Sequence, residues 1–373
     1  MKKIMLSAIC TLLMGIGAMY AQDANNKLTT KFANAAVKYR DKPNAKNEEN
    51  MEQVFQKLLP QNAAQEYRMW QFKGEAYLKC PKEGQKLDKS FEYYTKALSL
   101  TPDSDPKTKA ACMYNLALMY LWGNPVERDY AKCMELLEKT KPLDSSLTPA
   151  LLSALYRFGW GVEKDEDKAY EYYIEMVRSG NKDVYNDIYS LQWGLQHQVT
   201  PEEEEAYQLY EEALKSIIMN EDYAKITELA KKSAELRYAP AQTLLTECYL
   251  FGKYGMTRDL KLAESYAQQA TSQNYVHGIL MHAQCILVGE MAKLFHGDRL
   301  TKCWDLYVKA AEMGHPIAQW QVGWVYSGEQ PMNNKVYGVK ADKAEAYKWF
   351  EKSAKAGYSY GVEKEAEYRK YKK

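Results

Sequence analysis

The sequence predicts an all-α chain of stacked antiparallel helix pairs, and three observations carry that prediction. Its 373 residues are 46% hydrophobic but hold only 20 Gly and 12 Pro, too few turn formers for a chain of many short strands. Small and apolar residues recur at helical spacing rather than in alternation. The same pattern also returns along the chain, at a period of about 36 residues. Lys and Arg total 50 against 49 Asp and Glu, so no strong field gathers nucleic acid or an anionic membrane surface. Nucleic acid is not an expected partner.

At the start, Lys2 and Lys3 precede an apolar run from Ile4 to Met19, and Ala21 offers a cleavage position before Gln22 and Asp23. Residues 1–21 are therefore expected to be a secretory signal, with a periplasmic destination where the host has an outer membrane. The apolar run falls short of the ~20 residues that span a bilayer, so no stable membrane anchor is expected after cleavage. Cys10 lies inside that run behind bulky Ile9, a poor setting for lipid attachment.

Residues 22–61 are expected to form capping helices, about Leu28–Arg40 and Glu49–Leu59, separated near Pro43. A first block of repeats spans 62–182, with helices expected at 62–79, 86–100, 108–122, 129–140, 149–158 and 165–179. The register weakens over 183–239, read as an irregular insert of three helices at about 183–197, 201–219 and 222–236. There Thr200-Pro201-Glu202-Glu203 supplies an N-cap, a first-turn proline and a capping-box glutamate. A second block follows over 240–362, and 363–373 is expected to be a charged tail shielding the last repeat.

The repeat itself is explicit. Gly161-Val162, Asp165, Ala169, Tyr172, Tyr173, Val177 and Gly180 share their offsets with Gly338-Val339, Asp342, Ala346, Trp349, Phe350, Ala354 and Gly357. The preceding half recurs as well. Cys112, Leu116, Ala117, Tyr120 and Gly123 match Ala241, Leu245, Thr246, Tyr249 and Gly252, with a third copy at Ala318, Val322, Gly323 and Tyr326 that ends at Gly328, one place early. Such offsets trace one helical face ended by glycine, which defines a helix A. Asp165, Asp259 and Asp342 then stand where an N-cap opens a helix B carrying the small residue and the aromatic pair. Most of the 31 tyrosines are accordingly assigned to packing.

These residues resemble the Sel-one-like repeat family, relatives of the tetratricopeptide repeat. The likeness covers about 68–360 and is strongest at 149–180, 240–274 and 316–357. It implies a right-handed α-solenoid acting as a scaffold for protein–protein assembly, without catalysis. One copy departs from the pattern: Glu290 to Gly297 replaces the usual turn, Arg299 takes the cap position, and Cys303 stands for alanine.

Six cysteines beyond the leader, Cys80, Cys112, Cys133, Cys248, Cys285 and Cys303, are spread singly, with no C-x-x-C pair to suggest zinc or redox chemistry. Cys112 with Cys133, and Cys285 with Cys303, fall on neighbouring helices and could be bridged in an oxidising compartment. The preferred reading is six small buried thiols, because other repeats place Ala or Gly there.

No cofactor motif, metal set or nucleophile elbow is present. His277 and His282 miss the four-residue spacing of a helical ligand pair, and His277 and His315 are expected to serve turns or caps. Ser104 with Lys107, and Ser179 with Lys182, match an S-x-x-K signature but lack its companion elements. The Glu202–Glu205 run suits the first turn of a helix.

What remains is the A-helix face, expected to line a concave groove. Trp320, Gln321 and Trp324, with Tyr114, Asn115, Gln242, Glu247 and Gln284, form a candidate strip of aromatic and amide groups for a protein or peptide partner. A glycan- or peptidoglycan-binding protein using the same aromatics is the first alternative. An envelope hydrolase of the β-lactamase-like type is the second.

Overall fold

The computed structural model describes residues 27–59, 66–80, 84–144, 146–179, 199–292, 299–329 and 337–372. The expected leader, the helix expected at 183–197 and most of the loop after Ala292 lie outside the described residues. Regular structure among the described residues is helical throughout, and none of these helices is long and apolar enough to cross a membrane.

Two capping helices, α1 (Lys27–Asp41) and α2 (Ala45–Leu58), precede the pairs α3 (Glu66–Leu78) with α4 (Leu87–Leu100), and α5 (Pro106–Trp122) with α6 (Tyr130–Thr140). The next pair is α7 (Pro149–Phe158) and α8 (Glu166–Ser179). Beyond it lie α9 (Glu204–Ile218) with α10 (Tyr223–Glu235), and α11 (Ala239–Phe251) with α12 (Leu260–Ser272). The series closes with α13 (Val276–Ala292) and α14 (Leu300–Glu312), α15 (Pro316–Ser327) and α16 (Lys343–Lys355), and a final α17 (Ser359–Tyr368). The chain divides into two compact units, one running to Tyr172 and one holding α9 to α17, with α8 spanning the division.

Punctuation follows the sequence pattern. Gly123, Gly159, Gly252 and Gly328 end helices α5, α7, α11 and α15 with φ between 67° and 72°, a conformation that glycine adopts without Cβ strain. The carboxylates of Asp129, Asp165, Asp259 and Asp342 then accept first-turn amides of the following B helix at 2.8 to 3.1 Å. Each of these aspartates also donates its own amide to a helix A carbonyl, of Tyr120, Tyr156, Tyr249 and Tyr326 respectively. A and B are thereby locked into a hairpin by the residues that stop one helix and start the next.

Within pairs the helices approach closely. Ala97, Ala169, Ala263 and Ala346 are fully buried. A recurring serine reinforces the contact: Ser90 donates to the Gly74 carbonyl, Ser153 to Ala169, Ser233 to Ala206 and Ser353 to Pro316, at 2.6 to 2.8 Å. Helices α9 and α10 share this bond and so pack as an ordinary pair. The start of that segment is a 3-10 turn, Pro201–Glu203, in which the Glu203 carboxylate accepts the Thr200 amide at 3.1 Å.

The ends of the chain are closed differently. In the first unit, the buried Lys73 ammonium pairs with Glu52 at 2.7 Å and lies over the Phe55 and Tyr93 rings, 4.2 and 4.4 Å from their centroids. Tyr77 donates to Glu48 and Glu52, and Lys86 pairs with Glu48, so charged bonds fasten the capping helices to the first repeat. At the other end the expected charged tail is largely helix: α17 runs through it, and Tyr368 is buried against Phe350 while donating to Glu329 at 2.7 Å. The shift has a physical reason, since a last B helix needs an apolar partner on its open side.

All six cysteines are buried thiols, as the preferred reading held, and the two candidate disulfides are not formed. Cys303 donates to the Ala283 carbonyl at 3.3 Å, filling the serine role in its pair. Burial pushes the Cys133, Cys285 and Cys303 thiols up to about 12. These six thiols should resist a soluble disulfide reagent in the folded protein and all react once it is denatured; two fewer on denaturation would reveal a bridge. Packing makes a second prediction. A Cβ at Gly323 would meet the Phe350 ring at 2.8 Å, so Gly323→Leu should lower stability by about 2 kcal/mol or more in chemical denaturation.

Candidate functional site

In the second unit α11, α13, α15 and α17 are the A helices. Helix α11 touches α13, and α15 touches α17, so residues outside the pair cores of these helices share a face. On α15, Trp320 and Trp324 lie one turn apart and half-buried, their rings 5.5 Å apart and 11° from parallel. The next A helix completes the cluster, with Tyr358 and Tyr360 placing their rings 6.1 and 5.8 Å from Trp320. The Trp320 Nε1 atom is buried and has no acceptor among the described residues. Glu329 rims the cluster; despite partial burial, Lys364 and Tyr368 hold its carboxyl below the usual range.

The residues of the expected strip differ in their surroundings. Gln321 and Gln284 are half-buried on α15 and α13 respectively. Tyr114 and Asn115 are half-buried in the first unit, where Asn115 donates to its own helix at the Ala111 carbonyl. Gln242 and Glu247 are corrections, since both are buried and engaged inside the second unit. Gln242, 1% exposed, donates to the Ala234 carbonyl at 3.3 Å and accepts from Gln273 at 2.8 Å. Glu247, 5% exposed, meets His277 at 3.2 Å and Lys253 at 3.6 Å. Spacing placed them on helix A, but neighbouring repeats cover that part of the helix.

Histidine roles differ from expectation too. His315 occupies the N-cap position of α15 without capping it through its side chain, and His277 lies inside the first turn of α13. Both rings are instead bonded to each other within the core, Nδ1 of His277 lying 3.1 Å from Nε2 of His315. The signal for this was present but faint. His315 follows the positive-φ residue Gly314, the register at which Tyr238 follows Arg237, Tyr275 follows Asn274 and Tyr358 follows Gly357. Tyr358 and Tyr360 stand just ahead of the expected tail and outside the expected strip.

A third buried imidazole, His282, sits 3.2 Å from the Thr271 hydroxyl and 3.9 Å from Glu264, which Arg299 pairs across from the head of α14. Arg299 thus spends its charge on Glu264 rather than on a cap. As for catalysis, Ser104 and Lys107 are exposed around the turn that opens α5, while Lys182 lies outside the described residues. No group of His, Cys, Asp and Glu among the described residues could hold a metal ion.

Burial, with Lys302 adding to it, lowers His282 to about 4 from an ordinary 6.5. Its folded form therefore resists a proton that the unfolded chain accepts, so its contribution is complete above 6.5 and declines as the pH falls toward 4. Stability should drop by about 2 kcal/mol between pH 7 and 5 on this account. Denaturant midpoints across that range should fall less steeply for His282→Gln.

Comparison with known proteins places these features in a family. The chain is 24% identical over 273 residues to chitin synthase regulatory factor 3 of Schizosaccharomyces pombe, covering 73% of this chain and 26% of that protein. It is 28% identical over 165 residues to an uncharacterized protein of Neisseria meningitidis serogroup B, covering 42% and 34%. The chain thus aligns with about a quarter to a third of the length of these curated relatives. Among solved structures, a Sel1 repeat protein from Oxalobacter formigenes shares 19% identity at a TM-score of 0.33, covering 70% of this chain and 94% of that one. A protective antigen of uropathogenic Escherichia coli with an SLR fold shares 20% at 0.31, covering 92% and 72%. The Sel1 repeat model matches residues 81–101, 110–140, 150–181, 189–216, 232–275, 294–315 and 316–358. Those segments take in more than half of the sequence, and the chain belongs to the Sel1 repeat family.

Proposed function

We propose that this protein is an exported scaffold that holds a protein or peptide partner on the A-helix face of its second unit, with Trp320 and Trp324 as the anchoring side chains. Membership of a family of protein-interaction repeats supports the general role. The single observation that carries the site is the pair of half-buried, near-parallel indoles flanked by Tyr358 and Tyr360. Aromatic side chains of this kind supply large contact area at low cost in side-chain entropy, which is why they dominate binding hot spots. Export is supported by the basic and apolar start of the sequence, from Lys2 to Ala21.

The test joins capture to mutation. Envelope extract passed over the immobilised chain should yield a protein partner whose recovery falls at least tenfold with Trp320→Ala plus Trp324→Ala, while the far-UV spectrum and melting curve stay close to wild type. Recovery unchanged by the double substitution would remove the site. Retention of the chain on purified cell wall, with no protein captured, would replace the partner by a glycan. Fractionation of the expressing cells tests export directly, and a cytoplasmic, unprocessed chain would overturn it.

A further inference from the structure

Glu247 on α11, His277 on α13 and His315 at the head of α15 make one buried chain across three consecutive A helices. His277 Nε2 lies 3.2 Å from Glu247 Oε1, and His277 Nδ1 lies 3.1 Å from His315 Nε2. The ring planes differ by 13° with centroids 5.4 Å apart, the separation that a head-on N–H to N bond produces. The three side chains belong to residues 5%, 3% and 0% exposed.

Donor counting assigns the protons. A carboxylate can only accept, so His277 gives its Nε2 proton to Glu247 and keeps Nδ1 as an acceptor for the Nε2 proton of His315. Every donor in the chain therefore points toward Glu247. Of the four ring nitrogens of this pair, Nδ1 of His315 is the one outside the chain of bonds to Glu247, and it is the atom farthest from the carboxylate.

Surrounding charges are mostly engaged elsewhere. Lys253, just past α11, lies 3.6 Å from Glu247. On α10, Lys232 pairs with Glu228; on α12, Glu264 pairs with Arg299 beside His282; ahead of α13 and on α14, Asn274 and Lys309 bond to each other. Helix α16 brings the uncharged Ser353 hydroxyl to the Pro316 carbonyl, and α17 brings the rings of Tyr358 and Tyr360 to Trp320.

We propose that the Glu247–His277–His315 chain is an acid-released latch. With both imidazoles neutral it ties α11, α13 and α15 together, and one more proton on the histidine pair loosens the stack at that register. Burial, then the neighbouring His277, holds His315 well below the ordinary imidazole range. The closed state consequently refuses a proton that an opened state takes up near 6.5, so the latch is fully held above that pH and weakens as acid is added. The bias toward opening reaches up to about thirtyfold at pH 5. Helices α13 and α15 also carry Gln284, Trp320, Gln321 and Trp324, so partner binding should weaken in acid; that consequence rests on the proposed function, whereas the latch does not.

Hydrogen exchange of the full chain, followed by mass spectrometry at pH 7, 6 and 5 and corrected for intrinsic rates, tests the latch without any partner. Protection in α11 and α15 should fall about ten- to thirtyfold between pH 7 and 5, well beyond any change in α3 and α4. His315→Tyr installs the residue type found at this register in Tyr238, Tyr275 and Tyr358, and should keep α11 and α15 protected at pH 5. Loss spread evenly over both units, no loss in wild type, or an acid response unaltered by His315→Tyr would each overturn the latch. If His315→Tyr fails to melt cooperatively, His277→Gln takes its place with the same expected loss of acid response.

Discussion

The close approach of the two helices in each pair is the constraint from which the other features follow. Where Ala169 or Ala346 lies against its partner helix there is no room for a larger side chain, and a serine hydroxyl can reach a main-chain carbonyl of the facing helix. That bond is modest by itself, worth about 1 kcal/mol, but it fixes the sliding register that apolar contact leaves soft. Cys303 shows that the geometry, rather than the hydroxyl, is what recurs, since its thiol points to a carbonyl in the same way. The aromatic neighbours then fill the space between successive pairs, and their polar ends need partners, as Tyr368 finds in Glu329.

Stacking also has an end problem, because an array of hairpins exposes an apolar side at its first and last members. At the start it is met with charge and aromatic rings together. The Lys73 ammonium is removed from water but receives Glu52 and two ring faces, and Tyr77 and Lys86 satisfy the nearby carboxylates. At the finish the solution is an unpaired helix whose buried residues are few and whose outer residues are charged. Each unit is thus closed by side chains that the repeat pattern does not specify.

Polar groups buried on the A side are the other departure from pattern. Tyr238, Tyr275 and Tyr358 share one register, and at the equivalent place His315 substitutes an imidazole whose partner is His277. Changing one residue type there converts an aromatic contact into a chain that ends on Glu247. Because such groups cost several kcal/mol when left unpaired, their presence constrains three helices at once.

The sequence by itself determined the helices and their order. Local rules suffice for that: an aspartate that caps, a glycine that accepts positive φ, and a spacing that lays Cys112, Leu116 and Tyr120 on one face are all properties of neighbours along the chain. The same reasoning marked Trp320, Gln321, Trp324 and Gln284 as side chains outside the packing pattern. Tertiary structure decided which polar residues remain available, because that depends on neighbours from other repeats. Gln242 and Glu247 read like members of a surface strip, but residues some thirty positions away, Gln269 and Gln273 for the one and His277 for the other, bond to them in the interior. Pairing of His277 with His315 and the rings of Tyr358 and Tyr360 beside Trp320 arise in the same way, since helical periodicity states which face a residue occupies but not what the next hairpin brings against it.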